Sequence, residues 1–154
     1  MYKRIEADIM WNLVNHILAV ADNKSMNITN LQLQKILYFS FEKLVRDNVM
    51  QQNELKEMYE EAGPFLVWRY GPVNEEIYNK FCKYGSTPIL ERGEMNTQFN
   101  NLDENIVKML KQNPFDLVEQ SHQSPIWRDN EANIKYGRSN ISYQFEEIIN
   151  EAVQ

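Results

Sequence analysis

The chain is poor in the residues that build disulfide frameworks, metal cages and phosphate cradles. It has one cysteine, Cys82, two histidines, His16 and His122, and five glycines in 154 residues. A single cysteine excludes an intrachain disulfide and any cysteine-based zinc cage. Neither histidine stands in an HExxH-type pattern, so no metal site is expected. The glycines form neither GxGxxG nor a P-loop, so no nucleotide cofactor is expected. No apolar run approaches membrane-spanning length, and Glu6 and Asp8 fall where a secretory signal would be apolar. Both features predict a cytoplasmic protein with no membrane partner.

Positive charge is scarce too: 16 Lys and Arg stand against 22 Asp and Glu, giving a net charge of -6. The mean field repels phosphate backbones, so no direct nucleic-acid partner is expected. The densest basic group, Lys80, Lys83 and Arg92, is interrupted by neutral and acidic neighbours. Acidic balance better suits solubility, or a basic protein partner.

What the chain does have is apolar and aromatic bulk. Hydrophobic residues make up 43% and aromatics 12%, enough to bury one substantial core and too little for two. The expected fold is mainly α: a compact single-domain helical bundle over 1–154, with a short β hairpin or extended segments near 65–68 and 95–99. Ile5, Ile9, Leu13, Ile17 and Val20 recur every three or four positions and predict a first helix. Leu33, Ile36, Leu37, Phe41, Leu44 and Val45 predict a central second helix over 31–48, capped by Thr29 or Asn30. The polar run 51–61 carries a helical turn or two and ends at Gly63-Pro64.

Phe65-Leu-Val-Trp68 reads as a brief strand or an extended buried segment. Gly71-Pro72 makes a turn, Asn74 is positioned to cap, and Glu75-Glu76 place negative charge in the first turn of a helix reaching Phe81. Met95, Thr97 and Phe99 alternate and are candidates to pair with the Phe65 run. A helix starting at Asn101 or Asp103 holds Ile106, Val107 and Leu110. Another runs from Phe115 to His122 and is broken at Ser124-Pro125. Ile141, Phe145, Ile148, Ile149 and Ala152 predict a final helix over 141–153.

Catalytic sets are sparse. Ser121 and His122 are helix neighbours and point about 100° apart, so they make no nucleophile–base pair. His122 near a helix end suits a structural hydrogen bond. Cys82 beside Phe81 suits a small buried or half-buried filler better than a nucleophile. Glu60-Glu61 suit a solvated face, and Glu75-Glu76 a helix-dipole complement, better than acid–base pairs. An enzyme using His122 with Glu119 or Arg128 remains an alternative.

Three stretches stand in order: Thr29-Asn-Leu-Gln-Leu-Gln-Lys-Ile-Leu-Tyr-Phe39, Trp68-Arg-Tyr-Gly-Pro-Val73 with Tyr78 and Phe81, and Leu117-Val-Glu-Gln-Ser-His-Gln-Ser-Pro-Ile-Trp127. Together they resemble the Panacea domain, also called the SocA-like antitoxin domain, over most of the chain. Ser121 stands where that family often has Thr, and Ile126 separates Pro125 from Trp127 where the family commonly has Pro-Trp. The resemblance implies a mainly helical antitoxin of a bacterial or phage toxin–antitoxin pair, neutralising a cognate toxin by direct binding. It also implies a protease or chaperone as a further partner where a member acts as a degradation adaptor. A phage-associated host-interaction module or adaptor with no cognate toxin is the alternative within that reading.

The toxin-binding candidates follow from exposure arguments around the Gly-Pro turn. If Trp68 points inward, Arg69 points outward, beside Tyr70 and Tyr78, a composition typical of interface hot spots. His122 and Trp127-Arg128 join that rim. Lys35 and Tyr38 are candidates to line a groove beside it; otherwise Tyr38 is core and Lys35 is solvated.

Overall fold

The computed structural model describes residues 9–48 and 50–153. Among them the chain is mainly α, with eight α-helices and one two-stranded antiparallel hairpin. The first helix, α1 (Ile9–Asn23), buries Leu13, Ile17 and Val20 as its periodicity predicts. The expected turn from Ile5 lies outside the described residues.

Helix α2 (Asn30–Asp47) starts on a capping box: Gln32 N–H donates to Thr29 Oγ1 at 3.2 Å, and Thr29 N–H donates to Gln32 Oε1 at 2.9 Å. It stops at Asn48, whose φ of 56° cannot continue a right-handed helix. This helix is the hub of the molecule, packing against α1, the strand Gly71–Asn74 and the helices Asp103–Leu110, Pro114–Ser121 and Phe145–Ala152. The polar run forms a full helix, α3 (Gln52–Glu61), rather than a turn or two. Leu55, Met58 and Tyr59 fall on one side at i, i+3 and i+4, and tertiary packing of that stripe offsets the weak local signal.

Strand β1 (Phe65–Trp68) pairs with β2 (Gly71–Asn74) in the register Phe65↔Asn74, Leu66↔Val73, Val67↔Pro72 and Trp68↔Gly71. The Phe65 run does not pair with 95–99, which corrects that expectation. Its other edge is taken by 141–143: Val67 N–H donates to Ile141 O and Tyr143 N–H to Phe65 O, both at 2.8 Å. Strand pairing is nonlocal, so alternation in 95–99 could not name its neighbour. Phe99 instead enters the core from a 3-10 turn (Thr97–Leu102), its ring edge-on to His16.

Asn74 caps α4 (Glu75–Phe81), its side-chain Oδ1 accepting from Ile77 N–H at 3.1 Å, with Glu75 and Glu76 in the first turn. A 3-10 turn (Cys82–Tyr84) follows. Cys82 is exposed, not a buried filler. Residues 86–96 then cross α1 so closely that a Cβ on Gly93 would lie 1.9 Å from the Asn15 carbonyl oxygen. That crossing holds Asn96 N–H against His16 Nδ1 at 2.9 Å, while His16 Nε2 meets Asp103 Oδ1 at 2.6 Å. Since a backbone N–H donates to Nδ1, the ring hydrogen sits on Nε2.

Helix α5 (Asp103–Leu110) continues directly from the 3-10 turn, with no side-chain cap from Asn101 or Asp103. Helices α6 (Pro114–Ser121) and α7 (Pro125–Asn130) each begin with proline at the first turn, behind Asn113 and Ser124 caps. The final helix, α8 (Phe145–Ala152), is shorter than expected because Ile141 to Tyr143 serve as the third strand-like segment. Tyr38, Phe41, Tyr59, Phe65, Tyr143 and Phe145 form one aromatic cluster between α2, α3, α8 and the hairpin, with neighbouring centroids 5.1–6.2 Å apart.

Candidate functional site

The three motif stretches meet at the hairpin: the second forms its tip, and the first and third hold different parts of its backbone. Leu66 faces Val73 across the hairpin, so alternation sends the polar groups of Pro72 and Asn74 to the outer edge of β2. That edge is buried, and its groups need partners. Helix α2 supplies them: Gln34 Oε1 accepts from Asn74 N at 3.0 Å, and Lys35 Nζ donates to Pro72 O at 2.5 Å. Proline suits this position because an outward N–H would have faced the helix too.

The tip of the hairpin is held from the opposite side. Trp127 Nε1–H donates to Trp68 O at 2.9 Å, and His122 Nε2–H donates to Arg69 O at 2.8 Å. The His122 ring stacks on Trp127 with centroids 3.6 Å apart and planes 14° from parallel. Partial burial lowers the His122 pKa, and the bond to the Arg69 carbonyl opposes that shift in part. Gly71, at φ 98°, turns the chain back toward Ser121, and a Cβ there would lie 2.2 Å from Ser121 Oγ. Ser121 Oγ itself donates to Val118 O at 2.6 Å.

A third contact comes from the loop before α8. Arg69 N–H donates to Gly137 O at 2.9 Å, Trp68 Nε1–H to Ser139 O at 3.2 Å, and Ser139 Oγ–H to Val67 O at 2.5 Å. Trp68 is flanked by Tyr78, edge-on at 5.2 Å, and covered by the Arg138 guanidinium at 4.4 Å. The backbone of Trp68 and Arg69 at the start of the two-residue turn is therefore tied down by side chains and backbone from several elements, while the Arg69 and Tyr70 side chains are exposed.

The candidates divide accordingly. Arg69, Tyr70 and Arg128 are exposed, and Tyr78 and His122 are half-buried. Trp127 is buried behind the tip as a support. Lys35 is completely buried, which corrects both the groove-lining and the solvated expectations. Burial lowers its pKa to about 7. Tyr38 is core, edge-on to Phe65 at 5.1 Å, which corrects the groove reading and matches its alternative. Burial, with nearby Glu42 and Glu151, holds its phenol protonated well above the usual range.

Three exposed aromatic or basic groups were missed from sequence. Phe115 is 60% exposed and meets Tyr70 edge-to-face at 6.1 Å. Tyr136 projects fully into solvent from a residue with φ 54°. Arg138 is exposed on its stacked face of Trp68 and Tyr78. Only Tyr136-Gly137 carried a signal, as a turn-forming pair between Lys135 and Arg138.

Elsewhere the basic group expected at Lys80, Lys83 and Arg92 is neutralised, the lysines by Glu91 at 3.4 Å and Arg92 by Asp22 at 3.6 Å. A cavity of about 740 Å³ lies between α1 and α5 and includes none of the candidate residues. Among the described residues no group of three or more His, Cys, Asp or Glu gathers around a metal-sized space. No family model, no curated protein and no solved structure matches the chain.

Proposed function

We propose that the chain is an antitoxin of a bacterial or phage toxin–antitoxin pair, docking its cognate toxin on the face around the Arg69-Tyr70 turn. The observation that carries this reading is the contrast between the tied backbone of Trp68 and Arg69 and the exposed side chains of Arg69 and Tyr70. Gln34, Lys35, His122 and Trp127 all spend hydrogen bonds on orienting the hairpin. Rigid aromatics and arginine then reach solvent at its tip, so little conformational entropy is lost when a partner docks. Arg69, Arg128 and Arg138 have no carboxylate within ion-pair distance among the described residues.

The resemblance to the Panacea domain supports the same reading, because the stretches that carry it are the ones that meet at this hairpin. A phage-associated host-interaction module or proteolytic adaptor would use the same face. An enzyme built on His122 is less supported, since its Nε2–H is committed to the Arg69 carbonyl and only Nδ1 is left for chemistry.

The test is co-expression with the adjacent open reading frame, scored for growth rescue and co-purification. The double variant Arg69→Ala, Tyr70→Ala should keep the fold and lose rescue. Full rescue by that folded variant would refute the docking face. An adjacent frame that is harmless alone would favour the host-interaction module.

A further inference from the structure

Lys135 and Arg138 face each other across a tight two-residue turn. Lys135 N–H donates to Arg138 O at 2.8 Å, and Arg138 N–H donates to Lys135 O at 3.0 Å. Tyr136 and Gly137 between them have φ of 54° and 84°, both left-handed, as a type I′ turn requires. Residues paired in this way project their side chains to the same face. Two cations are thereby held side by side, an arrangement that repels itself unless an anion lies between.

Among the described residues no carboxylate takes that place. Neither Lys135 nor Arg138 has an ion pair among the described residues. The adjoining cavity, about 360 Å³, is lined by Asn133, Lys135, Arg138, Ser139, Asn140 and Ile141, with no Asp or Glu. Ser139 is already committed to Val67 O and to Ile141 N–H, and Asn133 Nδ2 donates to Asn130 Oδ1 at 3.5 Å, which leaves the two cations and the Asn140 amide as donors beside Ile141. The Arg138 guanidinium lies 4.4 Å from the Trp68 ring centre and 5.6 Å from that of Tyr78. Stacking fixes its plane and leaves N–H groups along its edge for a bidentate acceptor.

We infer that the Lys135–Arg138 turn is a carboxylate-binding site, which takes an acidic side chain of the docked partner. This rests on the docking reading, to which the turn is joined directly, since Gly137 O accepts from Arg69 N–H. A carboxylate is favoured over a polyanionic ligand because the whole chain carries a net charge of -6. A single acidic group incurs little of that long-range repulsion, whereas a nucleic acid would meet all of it.

The test uses the isotope-labelled full chain and the peptide acetyl-Asp-Glu-Asp-amide, followed by NMR at constant ionic strength. The Arg138 Nε–H, the Lys135 amide and the Trp68 indole N–H should shift together and saturate. Acetyl-Asn-Gln-Asn-amide should leave them in place. Arg138→Lys, which keeps the charge and loses the planar fork, should weaken binding by roughly tenfold. The folded double variant Lys135→Gln, Arg138→Gln should abolish it. Equal shifts with the neutral peptide, equal binding by Arg138→Lys, or tighter binding of inorganic phosphate than of the peptide would each overturn the assignment. Peptide binding that survives alongside full rescue by Arg69→Ala, Tyr70→Ala would retain this site and remove the docking reading. Absent peptide binding with rescue lost at the tip would do the reverse.

Discussion

Replacing Lys35 with methionine should raise stability near neutral pH and remove a pH dependence that the native chain shows in mild alkali. Lys35 is fully buried with one hydrogen-bond partner, Pro72 O. Burial lowers its pKa from 10.5 to about 7. Between those values the unfolded chain binds a proton that the folded chain does not, so stability rises with pH across this window. The gap corresponds to at most about 5 kcal/mol, of which about 2 kcal/mol should be recovered between pH 7 and pH 9. Methionine fills a similar volume without the charge but orphans the Pro72 carbonyl, at a cost of about 1–3 kcal/mol. The net expectation at pH 7 is therefore stabilisation by about 1–3 kcal/mol. Urea denaturation at pH 7, 8 and 9 measures both quantities. The buried tyrosines, whose phenols are all pushed upward, do not titrate in the folded state there. Equal pH slopes in the two proteins, or a marked loss of stability in Lys35→Met at pH 7, would refute the account of this lysine.

Gly71→Ala should destabilise by about 2–4 kcal/mol, from the left-handed φ and from overlap with Ser121 Oγ. Adding Ser121→Ala should restore part of that loss in thermal unfolding, because it removes the overlap but not the strain. Trp127→Phe loses the indole bond to Trp68 O and should cost about 1–3 kcal/mol, with faster amide hydrogen exchange at Arg69 and Tyr70. Glu42 is raised from 4.5 to about 7, chiefly by burial and then by Glu151, with Arg46 opposing. The folded state thus holds the extra proton, and the associated stability is present below 4.5 and lost as pH rises through about 7. Glu42→Gln should accordingly gain stability relative to the native chain over pH 5–7, by about 1–3 kcal/mol, measured by chemical denaturation.

Locally encoded features were legible. The Thr29 cap, the Asn74 cap with Glu75 and Glu76 behind it, and the apolar stripe of α2 all act through neighbours within four residues. Their physics is contained in a short window of chain. The exposed tip residues Arg69 and Tyr70 were legible too, because a turn beside an inward Trp68 leaves its own side chains outside. What could not be read was partnership at long range. The 95–99 alternation and the Ile141 periodicity both suggested elements that other segments displaced, since β1 can pair with any suitably alternating stretch and chose Ile141–Tyr143.

The amino-acid sequence by itself determined a mainly helical chain, its central amphipathic helix and the shortage of cysteine, histidine and glycine, whereas the turn expected at Gly71-Pro72 lies one step earlier, at Arg69-Tyr70, with Gly71 and Pro72 in β2. Those properties depend on propensity, periodicity and composition. Tertiary structure alone decided that Lys35 and Gln34 would be buried against the outer edge of β2, where unpaired carbonyl and amide groups required partners. It alone brought His122, Trp127 and Arg138 to one hairpin, because stacking and hydrogen bonding act through space between residues that are far apart in the chain.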